Sequence, residues 1–158
     1  MAIADTDPGQ ARACLRESRE LSGALGYQIP RDLILATGIA ALVGDQAGAL
    51  ELGRRAIRGL QRGGDRVRMG IILYMTAAAL ATIRPDAAAI IQGAAETSVA
   101  ESPIYAQLIS SGVTAALGDQ RTRELRARGA GMDWDQALAY TLTQTTQALS
   151  ELKAQHQP

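Results

Sequence analysis

The stretch from Gly70 to Glu96 constrains the fold more than any other part of the chain. It opens as Gly70-Ile-Ile-Leu-Tyr-Met-Thr-Ala-Ala-Ala-Leu-Ala-Thr-Ile83, breaks at Arg84-Pro85-Asp86, and resumes as Ala87-Ala-Ala-Ile-Ile-Gln-Gly-Ala-Ala-Glu96. The first run is apolar on almost every face, and a helix that is apolar all round is a buried one. At roughly 14 residues it falls short of the ~20 needed to cross a bilayer, so it reads as a core helix. Proline cannot continue a helix but suits the first turn of the next, so Arg84-Pro85-Asp86 reads as a hairpin turn. The second run is rich in small residues and can lie close against a neighbour. Large side chains at Ala88 or Ala95 would overpack it.

The 158 residues fit one domain, expected over 7–153, with an unstructured start at 1–6 and a frayed tail at 154–158. Net charge is zero, which removes the strongest argument for nucleic acid or an anionic membrane as a direct partner. Phe is absent, and only Trp134, Tyr27, Tyr74, Tyr105 and Tyr140 are aromatic. The core is therefore built from Leu, Ile, Met, Val and Ala. Ala-rich runs poor in β-branched residues favour helix over strand. The single cysteine, Cys14, excludes an internal disulfide and a thiolate metal site, and its place on an apolar helix face reads as a buried structural thiol. No signal peptide, transit peptide or membrane span is visible, so the expected compartment is the cytoplasm. The basic residues are 15 Arg and one Lys, Lys153, a bias that reads as GC-rich coding.

Taken in order, the chain predicts about eight helices. Asp7-Pro8 starts the first, with Ala11, Cys14, Leu15, Ser18, Leu21 and Leu25 at helical period, and Gly26 ends it. Pro30 opens the second, with Leu33, Ile34, Thr37, Ala40 and Ala41 facing inward and Gly44 at its end. Asp45 caps the third, whose face is Ala49, Leu50, Gly53, Ala56, Ile57 and Leu60, closed by Gly63-Gly64. Asp65 starts the fourth, the apolar helix of the core, and Pro85 the fifth, ending near Thr97. Ser102-Pro103 starts the sixth, with Tyr105, Leu108, Ile109, Val113 and Ala116 inward and Gly118 as its stop. Asp119 begins a short seventh with Leu125, ending at Gly129. Asp133 begins the eighth, forming a capping box with Gln136, while Met132 can staple onto Ala137. Its face is Leu138, Leu142, Thr145, Leu149 and Leu152. Pro and Gly punctuation agrees with periodicity throughout, which predicts an all-α fold. Short connections make neighbours antiparallel, and eight helices in successive hairpins suggest a right-handed α-solenoid.

The segment Gly44-Asp45-Gln-Ala-Gly-Ala49-Leu-Glu-Leu-Gly-Arg-Arg-Ala56 looks like the turn and second helix of a tetratricopeptide repeat, with small residues at Ala49 and Ala56 where two helices touch. A more specific resemblance runs from Ala81 to Leu142. It is carried by Arg84-Pro85-Asp86-x-Ala88-Ala89-x-Ile91-x-Gly93-Ala94-Ala95-Glu96, then Ala116-Leu117-Gly118-Asp119, then Leu125-x-Ala127-x-Gly129-x-x-Met132-x-Trp134-Asp135-x-Ala137-x-Ala139-Tyr140-x-Leu142. That order resembles the C-terminal tetratricopeptide-like region of bacterial LuxR-type transcriptional regulators and of related adenylate-cyclase/ATPase fusion proteins. The resemblance implies a helical scaffold that follows a STAND-type ATPase module, senses an effector or partner, and restrains or permits oligomerisation of the ATPase. The chain departs from that pattern in carrying no G-x-x-x-x-G-K-[ST] phosphate loop and no helix-turn-helix after the eighth helix. It is therefore either an excised C-terminal piece of a larger regulator, which is the expected case, or a small stand-alone relative.

No catalytic constellation stands out, and neither a cofactor nor a bound metal is expected. His156, the only histidine, lies in the tail without partners to hold it. Asp133 and Asp135 flank Trp134 at a helix start, where carboxylates complement the helix dipole. Ser102, Ser110 and Ser111 have no histidine to activate them. Trp134 reads as a core plug beneath a helix start. Two arginine groups are more informative. Arg54, Arg58 and Arg62 form an i, i+4 stripe within a group that also holds Arg55, Arg66 and Arg68, while Arg121, Arg123, Arg126 and Arg128 crowd the seventh helix. A solvated face balanced by Glu51 and Asp65 accounts for such charges. The alternative is a partner surface, for which Arg54, Arg58, Arg62, Arg121 and Arg126 are the candidates; no recognition-helix motif accompanies them, so direct DNA contact is not expected. Ala49, Ala56, Pro85, Ala88, Ala95, Gly118 and Trp134 are expected to be structural.

These features point to a non-enzymatic protein-interaction or regulatory module whose partner is another protein or another domain of its parent chain. Two other readings follow from the same residues. One is a small-ligand sensor with a pocket between the apolar fourth helix and its neighbours. The other is a homo-oligomerisation module, since an array cut from its neighbours exposes apolar end faces.

Overall fold

A computed structural model describes Gly9, Ala13, Arg16, Glu17 and Glu20 and residues 30–63, 66–99 and 112–155. Among the described residues every regular element is an α-helix. They are α1 (Pro30–Leu42), α2 (Gln46–Gly63), α3 (Arg66–Leu80), α4 (Pro85–Val99), α5 (Asp119–Ala130) and α6 (Trp134–Gln155), with a helical turn at 112–117 ahead of α5. These match the expected second to fifth, seventh and eighth helices. The expected first helix falls on described helical positions at Gly9, Ala13, Arg16, Glu17 and Glu20, all exposed. The remainder of that helix with Cys14, the Gly64-Asp65 turn, the start of the sixth helix at Ser102-Pro103, and His156 lie outside the described residues.

Local chemistry explains where the helices begin and end. Gly44 takes a left-handed φ of 78° just past α1. There its N–H reaches Ala41 O (3.2 Å) and the Asp45 N–H reaches Ala40 O (2.9 Å), satisfying two carbonyls the helix end leaves open. Asp45 then caps α2, its carboxylate accepting from Gly48 N–H at 2.9 Å. At α6 both halves of the capping box form: Gln136 N–H donates to Asp133 Oδ1 (2.8 Å) and Asp133 N–H donates to Gln136 Oε1 (3.1 Å). Replacing Asp133 by alanine is expected to cost about 0.5–2 kcal/mol, while asparagine, an equally good cap, should cost little. Thermal melting of the two variants checks this, and equal losses would contradict it. At α5 the N-cap is Gly118, with φ 76° and no side-chain cap, and Asp119 is the first helical residue. Thr122 makes the first bond of the helix, donating both its N–H and its hydroxyl to Gly118 O.

The core is centred on α3 and α4. Positions 72–77 of α3 and 87–93 of α4 are buried without a break, as an all-round apolar helix demands. α3 ends at Leu80, ahead of the Ile83 limit of the apolar run. A tight turn over 81–83 follows, with Arg84 N–H on Leu80 O at 2.7 Å, because the residue before a proline is disfavoured in helical geometry. α1 packs on α2 and α3, α2 on α3, α3 on α4, and α4 on α5, while α6 lies against α2, α3 and α4. Ala49, Ala56, Ala88 and Ala95 are fully buried where these helices touch. Every residue on the face read for α2 is buried. Trp134 is half-buried against the core, as is Met132, and Ala137 is buried.

Three readings of the sequence need correction. Gly129 does not end α5 but sits buried inside its last turn, and Gly131 is the residue that follows the helix. Ala116 is exposed, not inward. The buried stripe of α6 is Ala137, Leu138, Thr141, Thr145 and Ala148, so the helix is rotated and Leu142, Leu149 and Leu152 flank the contact. Mostly small side chains line the contact, and Leu142, Leu149 and Leu152 pack at its edges.

At the crossing of α4 and α5 the two backbones approach closely. A Cβ added to Gly93 would collide with Arg126 O and lie 2.7 Å from Arg126 Cα. One added to Gly129 would collide with Ile90 O and lie 2.9 Å from Ala94 N. The two backbones touch, and only glycine permits that on either side.

Candidate functional site

Of the five arginines expected to form a partner surface, three are tied up in local contacts. Arg54 pairs with Glu51 at 2.8 Å, one turn away on α2. Arg121 on α5 pairs with Asp86 at 2.9 Å. The hydrogen bond and charge of Asp86 hold its guanidinium protonated even more firmly than usual. Arg126 is half-buried and donates to Oε1 of the fully buried Gln92 through Nε (3.2 Å) and NH2 (2.7 Å), with Glu96 3.6 Å away. Arg126 is therefore a structural residue of the α4–α5 contact. Arg58 is exposed on α2, and the side chain of Arg62 lies outside the described residues. The two groups sit on separate helices, α2 packing on α1, α3 and α6, and α5 on α4.

A different constellation forms at the α3–α4 turn. Arg84 donates through NH1 to Gln147 Oε1 (2.7 Å) and to Glu151 Oε1 (3.2 Å) of α6. Two residues later Asp86 accepts from Arg121 of α5. The turn thus holds both C-terminal helices, one through a cation and one through an anion. Beside it opens a groove of about 440 Å³, with Ile83, Pro85, Tyr140 and Gln144 along its walls. Burial pushes the Tyr140 phenol pKa up, against the opposing pull of Arg128 and Arg84. The phenol therefore stays protonated at neutral pH and lines the groove together with Arg84. A second groove, about 330 Å³, lies among Leu60, Arg66, Met69, Trp134 and Leu138, where α2, α3 and α6 meet.

The first groove sets the Arg84–Glu151 ion pair beside apolar walls, and the second sets Gln61, Arg66 and Asp135 beside Leu60, Met69 and Trp134. Among the described residues no three His, Cys, Asp or Glu side chains gather as metal ligands would. Among the described residues, too, no helix is long and apolar enough to cross a membrane.

The sequence did not single out Gln92, Gln147, Glu151 or Arg84 as contact residues. Gln92 carried a readable signal: one amide inside an otherwise apolar and small run needs a buried partner. Gln147 and Glu151 share a helix face at i, i+4, but nothing local ties them to Arg84, 63 positions from the former. No protein-family model, curated protein or solved structure matches the chain.

Proposed function

We propose that this chain is a non-enzymatic protein-interaction module: tetratricopeptide-like antiparallel hairpins that form the regulatory C-terminal part of a larger cytoplasmic ATPase-type regulator of the LuxR kind. The observation that carries the reading is the packing of α1 to α4. Consecutive helices lie on one another across short turns, with small buried residues at their contacts: Ala49, Ala56, Ala88 and Ala95. Helical pairs built this way stack into arrays that present extended surfaces to other proteins. The order of motifs from Ala81 to Leu142 adds the resemblance to the regulator family. The partner is then a neighbouring domain of the same polypeptide or a protein that domain contacts.

The test begins with the reading frame that encodes the chain. A G-x-x-x-x-G-K-[ST] loop in that frame identifies an ATPase segment, which is expressed separately and titrated with the chain in a calorimeter. The expected result is a one-to-one complex of micromolar or tighter affinity, about −8 kcal/mol or better. A frame without a phosphate loop, or two segments that ignore each other, would overturn the reading.

The groove beside Arg84 favours a second reading, an effector sensor, because it lies between the α3–α4 turn and α6 and carries the protonated Tyr140 phenol and the Arg84 guanidinium. A small ligand bound there stabilises the fold by mass action.

A further inference from the structure

α6 differs from α2, α3 and α4 in what holds it. The inner faces of α2, α3 and α4 bury Leu, Ile and Met side chains, whereas α6 buries Ala137, Leu138, Thr141, Thr145 and Ala148. That stripe removes little apolar surface from water for a helix of 22 residues. It also carries a penalty: the Thr145 hydroxyl is fully buried and has no hydrogen-bond partner among the described residues. The hydroxyls of Thr141, Thr143, Thr146 and Ser150 each donate to the carbonyl four residues back, a pattern that weakens and bends a helix. The C-terminal half rests on the core through the buried Ala148 and the edges of Leu149 and Leu152, and the reach of Arg84 to Gln147 and Glu151 latches it on its solvent side. The N-terminal half is held differently, by the capping box and by Trp134 and Leu138 against the core.

We propose that α6 is a releasable strap, anchored at Trp134 and latched at Arg84, whose C-terminal half lifts from α2, α3 and α4 without unfolding them. Lifting it uncovers the surface that Thr145 and Ala148 cover, shaped to receive a helix with small residues at i, i+3 spacing. Release would make that surface available to a partner helix, a consequence that rests on the interaction reading above. The strap itself does not rest on it.

Amide hydrogen exchange of the intact chain, followed by mass spectrometry without any partner, tests the strap. Amides of 144–155 are expected to exchange at least about tenfold faster than those of 88–95 in the wild type, reflecting separate opening. Thr145→Val removes the unpartnered hydroxyl and should slow exchange over 144–155 about tenfold. Arg84→Ala should accelerate it, and raising salt from about 0.05 M to about 0.5 M should do so in the wild type and not in Arg84→Ala. Identical rates over 88–95 and 144–155 would overturn the proposal. So would a Thr145→Val chain that folds and exchanges at the wild-type rate over 144–155. Because no partner is present, failure here leaves the interaction reading standing, and failure of the calorimetric titration leaves the strap standing.

Discussion

A single methyl group at Gly129 is expected to lower the stability of this protein, and one at Gly93 to do the same. Inside a helix the replacement of glycine by alanine ordinarily stabilises by about 0.5–1 kcal/mol, because alanine loses less backbone freedom on folding. At the α4–α5 crossing the sign reverses. The new Cβ meets backbone on the facing helix, Ile90 O for Gly129 and Arg126 O for Gly93. Backbone held in a helix cannot swing aside as a side-chain end can, so the helices must separate. That costs about 1–3 kcal/mol by the measure of overpacked cores, and separation also stretches the Arg126–Gln92 bonds. The double variant should lose less than the sum, because one displacement relieves both clashes. Gly59 provides the control. It lies inside α2 with nothing within 4 Å of its added Cβ, so Gly59→Ala should gain about 0.5–1 kcal/mol. Urea midpoints of the variants check the reversal, and a stabilised Gly129→Ala would show that the helices do not touch there.

The second large effect is expected at Ala88 and Ala95. Both are fully buried on α4, which packs against α3, α5 and α6 and so has no slack face. Leucine at either position must push a neighbouring helix outward or adopt a strained rotamer, at about 1–3 kcal/mol. For a chain of this size that corresponds to a melting point lower by roughly 2–12 °C. Ala127→Leu on the exposed side of α5 should stay within about 0.5 kcal/mol of wild type. Melting curves that are unchanged for Ala88→Leu and Ala95→Leu would mean that α4 is not packed on those sides.

What the sequence made legible was local. Gly44-Asp45, Pro85 and Asp133 with Gln136 mark helix ends through backbone geometry and hydrogen bonds within a few residues, and each does what its chemistry predicts. The inward face of α2 was readable because its outer face is strongly charged. The inward face of α6 was not, since leucines and threonines occur all round the helix and the contact took mostly the smaller ones, with Leu142, Leu149 and Leu152 at its edges. Gly129 looked like a helix terminator because glycine at a helix end usually is one. Its role depends on Gly93, distant in sequence and reached only through the crossing. Arg126 looked like a surface charge for the same reason: its partner Gln92 is on another helix. On α1, Leu35 and Leu42 remain 51% and 47% exposed, outside the face read as inward.

The molecule is organised around α3 and α4, with α4 closed on the far side by α5. The measurement that tests this most directly is residue-resolved hydrogen exchange in α4, compared with the free energy of global unfolding from urea. Amides of Ile90, Ile91, Gln92 and Ala95 should open only when the whole chain unfolds, their exchange free energies matching the global value. Exchange from those amides at free energies several kcal/mol below it would contradict the account, because α4 would then be peripheral to the fold.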